Sequence, residues 1–183
     1  ANCYVAAIDR GYVLIAASTS SELKLMKEYQ GYWSMSEAAA LSGVRPPVVY
    51  SIVDVDAAES VKDAVQALVA AANGAEPDVL CISSKNSDAK ALANGVKAAW
   101  ELGACPGTVA VDGFDAARLE EFVEALKDTP GIQVAFNRVP YSLADRTFET
   151  NGTLAACKRL GVGVVAFASV RSIGRVGSLL SAP

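Results

Sequence analysis

The chain has 183 residues, with 20 acidic and 16 basic side chains, four cysteines and no histidine. The missing imidazole excludes Ser-His-Asp and Cys-His nucleophile pairs and His-liganded zinc, leaving any acid-base chemistry to Asp, Glu, Lys, Tyr or Cys. The length falls short of a complete eight-stranded α/β barrel, which usually needs about 250 residues, and a formal charge of −4 gives no electrostatic reason to expect nucleic acid.

Hydrophobic residues make up 52%, and 14 glycines raise the apolar share to about 60%, above the usual level of about 45–50%. Such an excess fills a core or covers a surface that a partner buries. Asp9, Arg10, Lys62 and Glu76 interrupt the apolar stretches before they reach the ~18 residues of a membrane span, so no transmembrane segment is expected. Cys3, Cys81, Cys105 and Cys157 show no CxxC spacing and are expected to be reduced core thiols, with no metal site. The chain begins at Ala1, which predicts a processed N-terminus.

Taken in chain order, residues 12–16 read as a strand, followed by a mixed helical and loop segment containing Tyr29, Tyr32 and Trp33. Residues 48–53 are β-branched and strand-like; 58–72 place Val61, Val65, Leu68, Val69 and Ala72 at helical spacing, closed by Asn73-Gly74. Residues 78–83 form the next strand, and Ser87 or Asp88 caps a helix that runs to Leu102 and stops at Gly103. Residues 108–111 are again a strand. Asp115 caps a helix whose Ala116, Leu119, Phe122, Val123 and Leu126 form one face. Residues 132–139 are a strand, 150–160 a helix closed by Gly161, and 162–167 a last strand. Successive strands begin about one βα unit apart, and strands apolar on both faces predict a parallel sheet covered by helices in a single domain spanning 1–183.

Four local motifs have plain readings. Gly161-Val162-Gly163-Val164-Val165-Ala166 fits a loose dinucleotide pattern, but it follows a helix and opens a strand, the reverse of what that fingerprint requires. Asn151-Gly152-Thr153 is a formal glycosylation acceptor with nothing else arguing for secretion. Glu120, Glu121 and Glu124 read as the solvated face of a helix, and Arg171 and Arg175 as surface charge in preference to a phosphate site.

Residues 132–170, IQVAFNRVPYSLADRTFETNGTLAACKRLGVGVVAFASV, carry a longer signal. Asn137, Val139, Tyr141 to Leu143, Arg146, Glu149, Asn151-Gly152, Leu154, Cys157, Leu160-Gly161 and Ala166 resemble the sixth and seventh βα units of the aldo/keto reductases. Upstream, Trp100 to Gly103, VAVDGF at 109–114, DVLCISS at 78–84 and GYVLIAAS at 11–18 extend the resemblance with decreasing clarity. It implies an α/β fold, a partial (β/α) barrel of about six parallel strands, ending at Pro183 before the strand and helix that carry the family's adenosine phosphate site. Residues 2–8 are expected to fold back as an extra strand, with Asp9-Arg10-Gly11 as the turn.

The family reduces carbonyls with NADPH through an Asp, Tyr, Lys, His tetrad in which Tyr donates the proton. Carried onto this chain, the Asp position falls on Ala16, the Lys position at or near Ile52 and the His position on Ser83. The Tyr has no aligned place, although Tyr29 and Tyr32 are nearby. The Ser-Asn pair that holds the nicotinamide amide becomes Asp112-Gly113, the family Gln becomes Arg138, and Phe167 keeps the stacking aromatic. Asp112, Asn137, Arg138 and Phe167 are therefore the positions to contact a nucleotide if its binding survives. The resemblance with a dismantled tetrad predicts a non-catalytic accessory subunit without a cofactor, joined to other protein subunits through open barrel edges and an apolar surface. An organelle, a plastid photosynthetic complex in particular, is the expected location, with the cytoplasm as the alternative. Two other functions are an NADPH-dependent carbonyl reductase with a displaced Tyr or a partner-completed site, and a nucleotide sensor without turnover.

Overall fold

The computed structural model describes residues 12–34, 48–56, 60–143 and 145–169, with the side chains of 32–34 left out. The elements run β1 (Leu14–Ala17), α1 (Ser20–Ser34), β2 (Val48–Asp54), α2 (Val61–Ala71), β3 (Val79–Ser83), α3 (Ala89–Glu101), β4 (Thr108–Asp112), α4 (Ala116–Leu126), β5 (Gln133–Pro140), α5 (Thr147–Thr150), α6 (Thr153–Leu160) and β6 (Gly163–Phe167). All five strand pairings are parallel. The strands lie side by side in chain order, curling into a partial barrel.

This order follows from strands that are apolar on both faces and need a cover on each. On the outer face, Val53, Leu80, Ile82, Val109 and Val111 pack against Val65, Leu92, Val96, Leu119 and Phe122 of α2, α3 and α4. On the inner face, Tyr50, Val79, Cys81, Ala110 and Phe136 form a second cluster, flanked by Leu14, Ala16, Ile52, Ala135 and Val165. Ser60, Asp88 and Asp115 cap α2, α3 and α4 by accepting hydrogen bonds from first-turn N–H groups. No helix among the described residues is long and apolar enough to cross a membrane.

Two local departures from the sequence pattern matter. Residues 20–34 form one helix, α1, instead of a mixed segment, because Leu23, Met26 and Tyr29 share a face that packs on Ala17, Val49 and Ala72. The helix expected over 150–160 is split: α5 ends at Thr150, and Gly152, with φ +88°, turns the chain before α6.

A third feature sets the inner face. Val109 pairs with Val134, but Ala110 pairs with Phe136, so Ala135 is an extra residue on β5. Beyond that bulge Val111 lies opposite Asn137 and Asp112 opposite Arg138. Gly163 is the matching accommodation on β6: a Cβ there would lie 2.9 Å from the Ala135 carbonyl oxygen. Gly161 ends α6 in the left-handed region at φ +68°, in keeping with a helix stop and not a phosphate loop.

At the opposite end of the sheet, Asp78 ties α1 to the start of β2. Its carboxylate accepts from Lys27 Nζ at 2.6 Å, Gln30 Nε2 at 2.9 Å and the Val49 N–H at 2.8 Å. Cys81, Cys105 and Cys157 are buried free thiols. Cys3, Arg171, Arg175 and the expected strand at 2–8 lie outside the described residues.

Candidate functional site

The C-terminal ends of the strands are where α/β barrels carry their chemistry, because loops there can vary without disturbing the core. In this chain that end of the inner face holds an ion pair. Asp112 closes β4, and the bulged register sets Arg138 of β5 beside it, with Nη1 2.8 Å from Asp112 Oδ1. Both side chains are about four-fifths buried, at 20% and 18% exposure. A buried pair of this kind is costly unless its remaining donors and acceptors are satisfied.

Arg138 meets one further group. Its guanidinium lies over the Phe167 ring, 4.0 Å from the centroid, because β6 brings Phe167 level with Pro140 of β5. On the same inner face, Tyr50 of β2 rests edge-on against Phe136, with ring centroids 5.3 Å apart. Arg138 Nε nevertheless stays buried with no acceptor. An unpartnered buried donor on a charged group is expensive.

Burial pushes the Tyr50 phenol above its ordinary value of 10.0, against the opposing pull of the Arg138 charge, so it is a protonated donor at neutral pH. Below it, Cys81 is driven up to about 12, by burial first and the Asp112 charge second, which makes it an inert thiol.

The positions singled out in the sequence separate into two groups. Asp112, Arg138 and Phe167 come together at the mouth. Asn137 does not join them: the bulge turns it to the outer layer, where it is fully buried, accepting from the Phe114 N–H at 3.3 Å and donating to the Phe114 carbonyl at 2.7 Å. It braces the turn between β4 and α4. Ala16 and Ile52 line the inner face, and Ser83, at the end of β3, pairs with Asp54. None of the three carries a group able to polarise a carbonyl as a cation does. Tyr29 packs beneath α1 on the outer side of the sheet, and the Tyr32 side chain lies outside the described residues.

Neither a protein-family model nor a curated protein matches the sequence. Solved structures do match. An aldo/keto reductase from Klebsiella pneumoniae in complex with NADP and acetate superposes with a TM-score of 0.63 at 19% identity, over 95% of this chain and 60% of that one. Its fold is that of the aldo/keto reductases. A second Klebsiella pneumoniae aldo-keto reductase, in complex with NADPH, gives a TM-score of 0.64 at 19% identity, over 93% of this chain and 57% of the neighbour. The chain thus spans less than two thirds of the length of either barrel. The expectation of a cofactor-free domain is corrected here, since both neighbours are nucleotide complexes. The bulged register assembles Asp112, Arg138 and Phe167 where the family's own side chains are lost.

The trio at the mouth fits a nicotinamide on its own chemistry. Asp112 would accept from an amide NH2, the Arg138 guanidinium would donate to an amide oxygen, and Phe167 would offer a planar face. Asp and Arg between them supply one acceptor and one donor, the complement of a carboxamide.

Proposed function

We propose that this chain is the nicotinamide-binding part of an NADP(H)-dependent carbonyl reductase of the aldo/keto reductase type. The observation that carries this reading is the Asp112–Arg138–Phe167 cluster, with its buried, unpartnered Nε at the mouth of the inner face. Bound there, NADPH would supply a hydride to a carbonyl carbon. The chain's own residues orient the ring end: Asp112 and Arg138 fix the carboxamide, and Phe167 bounds one face. Phe136 and Ile52 keep water from the floor beneath. The likeness to NADP and NADPH complexes of the same fold supports the choice of nucleotide.

Small or apolar side chains at Ala16, Ile52 and Ser83 favour a second reading, nucleotide binding without turnover. One experiment addresses both. Titrating the purified chain with NADPH while following dihydronicotinamide fluorescence is expected to show saturable micromolar binding that Phe167→Ala weakens by about tenfold, a loss of about 1.4 kcal/mol. No saturation would overturn the proposal. Binding with no consumption of NADPH on adding a small aldehyde would select the second reading.

A further inference from the structure

We propose that Asn151 is a site of spontaneous covalent modification, converted to aspartate and isoaspartate through a cyclic imide formed with Gly152. The sequence holds three Asn-Gly pairs, Asn73-Gly74, Asn94-Gly95 and Asn151-Gly152. All three asparagines are exposed, so the backbone around each decides which of them reacts.

The reaction needs only water. The Gly152 backbone nitrogen, giving up its proton, bonds to Asn151 Cγ, and the side-chain nitrogen leaves as ammonia. Water then opens the five-membered imide at either carbonyl, giving aspartate or isoaspartate at position 151. One water enters, one ammonia departs, and the formal charge of the chain moves one unit more negative than −4. Two things favour this step: a glycine N–H with no other engagement, and stabilisation of the negative charge that develops on the asparagine Oδ1.

The three pairs differ on both counts. Asn94-Gly95 lies inside α3, where the glycine N–H belongs to the helical ladder. Gly95 also presses on α2, since a Cβ there would lie 2.8 Å from Val61 Cγ2, so the turn has little room to unwind. Asn73-Gly74 closes α2, and the Gly74 N–H donates to the Val69 carbonyl at 2.8 Å. That pair sits at the negative end of a helix, which opposes charge on Oδ1.

Asn151-Gly152 reverses each feature. The Gly152 N–H has no acceptor among the described residues, and Gly152 stands between α5 and α6 instead of inside either. Asn151 Oδ1 already accepts from the Thr153 N–H at 3.0 Å. Thr153 is the first residue of α6, so the oxygen that gains charge faces a helix N-terminus whose Gly152 cap supplies no side-chain acceptor. An aspartate formed there keeps the Thr153 hydrogen bond and adds charge to it.

The test follows amide loss in the full wild-type chain at mildly alkaline pH, folded and in guanidinium chloride. Tryptic peptides 147–158, 63–85 and 91–97 carry Asn151, Asn73 and Asn94 as their respective single asparagines, and mass spectrometry reads the conversion of each. In guanidinium the three are expected to convert at rates within about threefold of one another. In the folded chain Asn73 and Asn94 wait on local unfolding, and folding is expected to slow Asn151 at least ~fivefold less than it slows either of them. Any smaller difference, or an Asn151 that the fold protects as well as the other two, would overturn the assignment.

Discussion

Arg138 and Asn137 are adjacent in sequence and do opposite things. Arg138 faces inward, to Asp112 and Phe167; Asn137 faces outward and closes two hydrogen bonds on Phe114. Replacing Asn137 by Ala leaves two buried backbone groups unpaired and is expected to lower unfolding free energy by about 1–3 kcal/mol in urea titrations, with NADPH affinity retained. Loss of nucleotide binding without loss of stability would return Asn137 to the site. Asp78 offers a pH-dependent check. Burial alone would raise its carboxyl, but hydrogen bonds from Lys27, the Val49 N–H and Gln30 outweigh burial and hold it below the ordinary 3.8. A carboxyl lowered in the folded state contributes stability above its unfolded value and loses it as pH falls through the lowered one. Asp78→Ala is therefore expected to cost about 1–3 kcal/mol at pH 7, the gap from wild type narrowing below about pH 4. A gap independent of pH would show that the charge contributes nothing.

At the scale of elements, the β-branched runs and their spacing located β2 to β6 to within about a residue or two, because burial on both faces leaves no polar alternative along the strand. Two features escaped that logic. In α1, Gly31 and the aromatics Tyr29, Tyr32 and Trp33 weaken the local helix signal, and the helix stands on its contacts to Ala17, Val49 and Ala72. The β5 bulge is invisible in sequence, since nothing distinguishes Ala135 from its neighbours; yet a one-residue shift exchanges the faces of Asn137 and Arg138. That is why the candidate trio was legible residue by residue while its assembly was not. Glycines test the element boundaries. Gly161 and Gly131 both have positive φ, but a Cβ at Gly161 meets nothing within 4 Å, whereas one at Gly131 would lie 2.8 Å from Trp100 Cζ2. Gly161→Ala is expected to cost about 1 kcal/mol from conformation alone, and Gly131→Ala clearly more, in thermal or urea unfolding. Equal costs would mean that Trp100 yields freely.

At the scale of the molecule, six strands in chain order leave β1 and β6 each paired on one side among the described residues, with β3 and β4 central. Backbone amides of β3 and β4 are expected to exchange with deuterium far more slowly than those of β1 and β6, and uniform protection would contradict an open sheet. The central claim concerns the nicotinamide end, and it is best tested by comparing NADPH with 2′-phospho-ADP-ribose, the same nucleotide without its nicotinamide. Calorimetric titration of both into wild type and an Asp112→Ala, Arg138→Met double variant isolates what the ring end contributes. Wild type is expected to prefer NADPH by about tenfold or more and the double variant to lose this preference. Equal affinity of wild type for the two ligands would contradict it.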